Sequence, residues 1–373
     1  MDFSLTEQQE EFRSYVRKVL SEQGETHIAR AISAGNEGEL AKAHQKLTEL
    51  GVMGITVPEQ YGGIELGAID LIPIMEELGR AVAPDVYAET LAFAVPLLTE
   101  HGTDWQKETY LQSIAEGRSL LSIAWLEPQG QYTFDEIATT AVKTEEGYVL
   151  HGTKSLVRNT EQVTDFILLA KDEKDELCLL IVPKEMVSCI EVQQSFDETQ
   201  PFGKLVLDDV TIPAKYRLAE ADGAKPVVEK AALTLLAALN SMMIGGMDRL
   251  VDMSTEYAKI REQFGQPIGR FQAIKHRLAD LKVTLETARA LSHYAAWTVE
   301  NESVDREESV YSAKAFLADS YIKIAAESVQ IHGGIGFTEE LDCHLYVKRS
   351  RVYENYLGSQ YDIREKAALA MGW

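Results

Sequence analysis

Through the first third of the chain, apolar residues recur three and four positions apart, the mark of helices that bury one stripe. Phe12, Val16, Val19 and Leu20 form such a stripe behind Thr6-Glu-Gln-Gln9, a capping box that predicts a helix start. Leu40, Ala43, Leu47 and Leu50 form a second over residues 37–50, and Gly51 is placed to end it. Gly51-Val-Met-Gly-Ile-Thr-Val-Pro-Glu-Gln-Tyr-Gly-Gly63 reads as a long ordered connection. Further helices are predicted over 69–79, 86–101 and 104–116, the last closed by Gly117.

At residue 119 the period changes. Short segments rich in aliphatic and β-branched residues at 119–126, 139–143, 148–151, 166–171, 177–182, 189–193 and 205–212 predict strands. Glu145-Glu-Gly147 and Asp172-Glu-Lys-Asp-Glu176 are hairpin connections. No helix-length segment intervenes, which excludes βαβ units and predicts a small antiparallel barrel or sandwich. From about residue 224 helical spacing returns in four long segments. The first, 227–257, is apolar nearly all round between Leu233 and Ile244 and should be buried on most faces. The second carries a seven-residue repeat, Phe271, Leu278 and Leu285 alternating with Ile274, Leu281, Ala288 and Ala295, which is a bundle seam. Segments 310–332 and 341–356 follow. The reading is an α+β chain in three parts: a helical domain 1–118, a β domain 119–223 and a helical bundle 224–373.

Composition narrows the function. With 36 Lys+Arg against 59 Asp+Glu, the net charge of -23 repels phosphate backbones and anionic lipid, which argues against nucleic-acid or membrane partners. The 373 residues include three cysteines, Cys178, Cys189 and Cys343, at no metal-ligand spacing. No metal site and a reducing, cytoplasmic compartment are expected. The amino terminus has no basic-then-apolar leader, and no window reaches the uninterrupted apolar length of a membrane span.

The stretch Gln330-Ile-His-Gly-Gly-Ile-Gly-Phe337 places three glycines in four positions after a helical pattern. Such a cluster ends a helix and lets another molecule approach the main chain. It is no dinucleotide fingerprint, which follows a strand and opens a helix. With Gly54-Ile-Thr-Val-Pro-Glu-Gln-Tyr-Gly-Gly63, Leu150-His-Gly-Thr-Lys154, Arg261-Glu-Gln-Phe-Gly265 and Phe271-Gln-Ala-Ile-Lys-His-Arg-Leu-Ala-Asp280, it makes nearly the whole chain resemble an acyl-CoA dehydrogenase. The resemblance implies a helical amino-terminal domain, a β middle domain and a carboxy-terminal four-helix bundle, with FAD held across a subunit interface of a homo- or heteromeric dimer or tetramer. It further implies α,β-desaturation of an acyl-CoA, as in fatty acid metabolism, with an electron-transfer flavoprotein as acceptor.

Residue by residue, the resemblance assigns Arg261 to the neighbouring subunit's FAD; spacing alone would pair it with Glu256 or Glu262. Phe264 reads equally as a core anchor and as a ring against the adenine end of FAD. Gln272 is a candidate contact, while His276, one turn on, reads as packing. Gln330, Gly333 and Gly334 are assigned to the pyrophosphate and ribose, and Ser359 to the cofactor. Lys348-Arg-Ser-Arg351 reads as cations complementing a helix end.

Two departures stand out. The family's catalytic carboxylate falls at Leu357 in Tyr356-Leu-Gly-Ser359, or in other members near Leu235, and neither leucine can accept a proton. Glu229 and Glu354 lie outside the matched positions and read as surface residues. In the middle domain, Glu127-Pro-Gln-Gly-Gln-Tyr-Thr-Phe-Asp135 and Leu156-Val-Arg-Asn159 replace segments that in the family touch flavin and acyl-CoA. The catalytic residue is therefore unassigned, and the alternative is a non-catalytic subunit that completes the FAD site of a partner chain.

Overall fold

The structure, a computed structural model, describes residues 5–218 and 223–373. Residues 1–4, and residues 219–222 at the end of the predicted β domain, lie outside them. Contact density groups the chain into two compact units: Met1–Glu39 with Ala68–Ala83 and Leu236–Trp373, and Leu40–Gly67 with Pro84–Leu235.

The helices are α1 (Glu7–Ser21), α2 (His27–Ser33), α3 (Glu37–Glu49), α4 (Ala68–Arg80), α5 (Val86–Glu89), α6 (Val95–His101), α7 (Asp104–Gln106), α8 (Gln112–Ala115), α9 (Ala224–Ile260), α10 (Gln272–Glu300), α11 (Arg306–His332), α12 (Cys343–Asn355) and α13 (Gln360–Ala370). Thr6 caps α1 through the predicted box with Gln9. Two helices, α2 and α13, have too few apolar repeats to be read from sequence. The connection 51–63 is ordered by 3-10 turns at Val52–Gly54 and Glu59–Tyr61.

In the first unit, α4 and α9 touch backbone to backbone. A Cβ on Gly79 would lie 1.9 Å from the Met242 carbonyl oxygen, and one on Gly245 would lie 1.8 Å from that of Glu76. This close packing buries a charge network. Glu76 accepts from Arg13 at 2.9 Å and Arg289 at 2.5 Å, and its other oxygen meets His293 at 3.2 Å. Glu77 takes Arg13 and Arg17 at 2.7 Å each. Burial pushes the Glu76 carboxyl up, but the His293 hydrogen bond and the Arg289 and Arg13 charges hold it below its ordinary value.

Past α4, Val82 has a φ of 53°, rare for a β-branched residue. Arg349 of α12 donates to the Ala83 carbonyl at 2.7 Å, and the Tyr346 hydroxyl donates to that of Arg80 at 2.6 Å. The basic run at 348–351 lies within α12 and puts no cation in that helix's last turn, so it does not complement its own helix end; its buried Arg349 serves the chain just past α4 instead. Lys314 is buried too and donates to the Tyr353 carbonyl. On α10 the predicted seam is buried at Leu281, Leu285, Ala288 and Ala295, whereas Phe271, Ile274 and Leu278 are only half-buried.

In the second unit, 86–101 is a single helical run with a π-helical segment, Thr90–Ala94, between α5 and α6. Thr90 Oγ1 exchanges hydrogen bonds with the Leu121 main chain, and Glu89 accepts from Ser122 Oγ at 2.5 Å and Ile123 N at 3.1 Å. These bonds tie the run to the sheet of β1 (Leu121–Ala124), β2 (Thr140–Lys143), β3 (Gly147–Arg158), β4 (Asp165–Lys171), β5 (Leu177–Pro183), β6 (Cys189–Gln193) and β7 (Phe202–Pro213). All seven predicted strands are present in one curled sheet of order β1-β4-β2-β3-β7-β6, with β5 on β4. The β3–β7, β4–β5, β2–β3 and β6–β7 ladders are antiparallel as expected, but β1 and β2 pair with β4 in parallel, so the sheet is mixed. The excursion through β2 and β3 returns the chain in the direction of β1 without a helix.

One expectation is corrected. Among the described residues, α9 is long and apolar enough to cross a membrane, although 83% of that apolar window is buried inside the protein.

Candidate functional site

Three helix ends of the first unit meet. Tyr257, near the end of α9, packs at 4.6 Å and a tilt of 36° against His332, the last residue of α11, and Arg277 near the start of α10 pairs with Glu327 of α11 at 2.9 Å. Burial lowers the pKa of His332, opposed by hydrogen bonds with the main chain at Ser328 and Met253; His332 Nδ1 lies 2.7 Å from the Ser328 carbonyl, which can only accept. Here lie six of the seven residues singled out from sequence: Arg261, Phe264, Gln272, Gln330, Gly333 and Gly334.

Between α9 and α10 the chain forms a two-residue hairpin of β8 (Glu262–Gln263) and β9 (Gln266–Pro267). Phe264 and Gly265 form its turn with φ of 52° and 76°, as a type I′ turn requires. Phe264 is 92% exposed and touches Phe271 edge-on at 6.0 Å, so it is not a core anchor. Arg261 is exposed, and its guanidinium has no partner among the described residues. The pairing with Glu256 or Glu262 does not form; Glu256 pairs with Arg249 at 3.6 Å. Gln272 and His276 are both exposed, so His276 is not the packing residue expected.

Gly333 ends α11 with a φ of 63°, and a Cβ on either Gly333 or Gly334 would meet nothing within 4 Å. The glycines therefore face open space among the described residues: the left-handed turn requires the first, and no packing against those residues requires the second. Gly336 differs, since its Cβ would meet the Val329 carbonyl oxygen at 2.7 Å. Ile260, Ile335 and Phe337 are exposed at these ends, Phe337 by 82%. The signal available in sequence was apolar residues flanking glycine-rich helix ends.

Ser359 lies elsewhere. Its hydroxyl caps α13 in a box with Asp362, and the adjacent Gln360 bonds Asp319 at 3.2 Å, roughly 20 Å along α11 from the glycines. Leu357, 3% exposed with a φ of 62°, and Leu235, fully buried, put alkyl groups where the resemblance places a base. Glu354 is ion-paired with Arg351 at 3.1 Å, and Glu229 is exposed.

In the second unit the two departing stretches are structured. Lys154 donates to Glu127 at 2.7 Å, and Glu127 also accepts from Thr139 Oγ1 and the Thr139 and Ala138 amides. Burial raises the Glu127 carboxyl, but Lys154 and these bonds bring it down to about 2. Arg158 pairs with buried Asp85 at 3.2 Å and lies over the Phe202 ring at 5.3 Å. Asn159 accepts from Gln200 at 2.6 Å. Trp125, which sequence reasoning passed over, stacks on Phe134 at 4.9 Å and meets Tyr132 edge-on at 5.8 Å. No group of three or more possible metal ligands occurs among the described residues.

Residues 6–118 match the description "Acyl-CoA dehydrogenase, N-terminal domain" and residues 227–368 "Acyl-CoA dehydrogenase, C-terminal domain". The chain is 29% identical over 369 residues to the probable acyl-CoA dehydrogenase YngJ of Bacillus subtilis, covering 95% of each. Among solved structures it resembles butyryl-CoA dehydrogenase from Megasphaera elsdenii, with a TM-score of 0.90 at 24% identity over 100% of both chains. A chain from the work on the electron transferring flavoprotein of Acidaminococcus fermentans gives a TM-score of 0.90 at 25% identity, covering 100% of this chain and 99% of that one.

Proposed function

Because the chain belongs to the acyl-CoA dehydrogenase family, we propose that it is an FAD-dependent oxidoreductase whose chemistry is α,β-desaturation of an acyl-CoA thioester. The observation that carries this reading is the meeting of open Gly333 and Gly334, unpartnered Arg261 and exposed Phe264 at one set of helix ends. The residues fit the cofactor. Glycines without Cβ atoms admit a diphosphate to the main chain, a guanidinium matches its charge, and an exposed ring offers a stacking face. FAD, when bound, accepts the β hydrogen as hydride. The half-open seam of α10 and exposed Ile260 and Phe337 support a second chain covering this end, in a homo- or heteromeric dimer or tetramer, and likeness to a chain from electron-transferring flavoprotein work supports such a protein as acceptor. The three free cysteines support a reducing, cytoplasmic setting.

A second reading has its own observation: Leu357 and Leu235 are both buried, and neither can take the α proton. On it, this chain completes the flavin site of a catalytic partner. Purified full-length protein should retain FAD, and anaerobic butyryl-CoA should fail to bleach that flavin unless a related dehydrogenase chain is co-expressed. A preparation that stays colourless with added FAD overturns the first reading; rapid bleaching by the chain alone overturns the second.

A further inference from the structure

Asp342 stands at the N-cap of α12, where an aspartate ordinarily accepts from the open amides of the first turn, yet its side chain makes no cap bond. The carboxylate is spent on another helix. Arg30 of α2, in the same compact unit, donates to Asp342 Oδ1 through Nε at 2.8 Å, and its Nη2 lies 2.6 Å from that oxygen. Nη2 also donates to the Glu339 carbonyl at 2.9 Å. One guanidinium therefore holds a side chain and a main-chain carbonyl of the same loop. The ion pair is partly exposed on both sides, and a cap is worth at least as much as such a pair, so stability alone does not account for the exchange.

The held segment is the far end of the glycine loop. Between α11 and α12 the chain turns at Gly333 and Gly334 and runs exposed through residues 337–340. Its near end is fixed by packing, with His332 against Tyr257 and Gly336 against the Val329 carbonyl. Thr338 Oγ1 donates to the Ile335 carbonyl at 2.8 Å, a bond internal to the loop. Past Thr338, Arg30 ties the loop to α2, which is itself anchored by buried Ile28, Ala29 and Ala31.

We propose that Arg30 is a positioning residue of the flavin site: by holding Asp342 and Glu339 it fixes the loop that presents Gly333 and Gly334 to the cofactor diphosphate. The assignment rests on the FAD reading above. A loop already set in its binding form has less freedom to lose when the diphosphate arrives.

The test is the FAD affinity of full-length protein, stripped of flavin and titrated with FAD by fluorescence quenching. Asp342→Asn separates charge from geometry. It removes a negative charge from the loop, so charge alone predicts tighter binding of a diphosphate, whereas loss of the clamp predicts affinity about fivefold weaker. Asparagine caps a helix as well as aspartate does, so α12 is not undermined. Arg30→Gln should weaken FAD binding to a similar extent, and Arg30→Lys, which keeps a charged donor for Asp342, should recover part of the loss. In flavin-free protein, Asp342→Asn and Arg30→Gln should speed amide exchange within residues 333–341 and leave the urea midpoint unchanged. Tighter or unaltered FAD binding in Asp342→Asn overturns the proposal, and so does unaltered exchange in the loop or a lysine that recovers nothing. Weaker binding accompanied by a lower urea midpoint marks a folding defect and also overturns it. Wild-type protein that takes up no FAD overturns the flavin reading together with this one.

Discussion

Leu357 shows how much one residue can decide. It sits in a left-handed turn beside Gly358, whose φ is 137°, and puts an alkyl group where the resemblance expects a carboxylate. Leu357→Glu restores a carboxylate whose pKa burial will raise, which suits a base more than a permanent anion. Its flavin should bleach anaerobically with butyryl-CoA at a rate well above wild type, followed by flavin absorbance; no change would mean that the loop is not a proton-transfer site. Glu76 carries structural weight of a different kind. Glu76→Gln takes one of two counter-charges from half-buried Arg13 and Arg289, which keep Glu77 and Asp248, and should cost about 2 kcal/mol in urea unfolding. Because pairing lowers the folded-state pKa of Glu76, its contribution is present above the ordinary value of 4.5 and is lost as pH falls below it. Wild-type stability should therefore drop on acidification below about pH 4.5, and Glu76→Gln should flatten that drop.

At the scale of elements, helix ends do most of the organising. The end of α4 is held by Tyr346, which answers the Arg80 carbonyl that the finished helix leaves open, and by Arg349, which answers the Ala83 carbonyl just beyond it. Arg349→Met should strand the Ala83 carbonyl and cost about 2 kcal/mol, read by thermal unfolding. The α4–α9 contact is less forgiving. Gly245→Ala drives a methyl into the Glu76 carbonyl, must separate the helices and should cost about 3 kcal/mol. These contacts were invisible in sequence for a physical reason: periodicity tells which face of a helix is apolar, not which distant carbonyl a buried arginine will reach. Arg349 and Arg351 look alike in the chain, yet one is buried and the other exposed.

Across the whole molecule, the order helical, β, helical was legible because the apolar period shifts from helix to strand and back, and all seven strands of the sheet follow it. Parallel pairing of β1 and β2 with β4 was not, since a strand's sequence carries its faces but not its neighbour's direction. The same limit governs the candidate site. Glycines and a turn aromatic could be read from residue type, so six site residues converge at one set of helix ends. Ser359 is marked in the sequence only by its place in a motif, and its hydroxyl is used in a helix cap. Arg261→Ala should lower FAD retention at least tenfold on gel filtration while leaving the unfolding temperature unchanged, because its guanidinium contacts no described residue of its own chain.

The hairpin turn at Phe264 sets two selections against each other. A phenylalanine at a φ of 52° costs about 1 kcal/mol that asparagine, at home in this turn, would largely avoid. Laboratory evolution for heat resistance of the isolated chain should therefore discard Phe264 early, whereas selection for retained flavin should restore it, and the two lineages would diverge first at a residue that touches almost nothing in its own subunit.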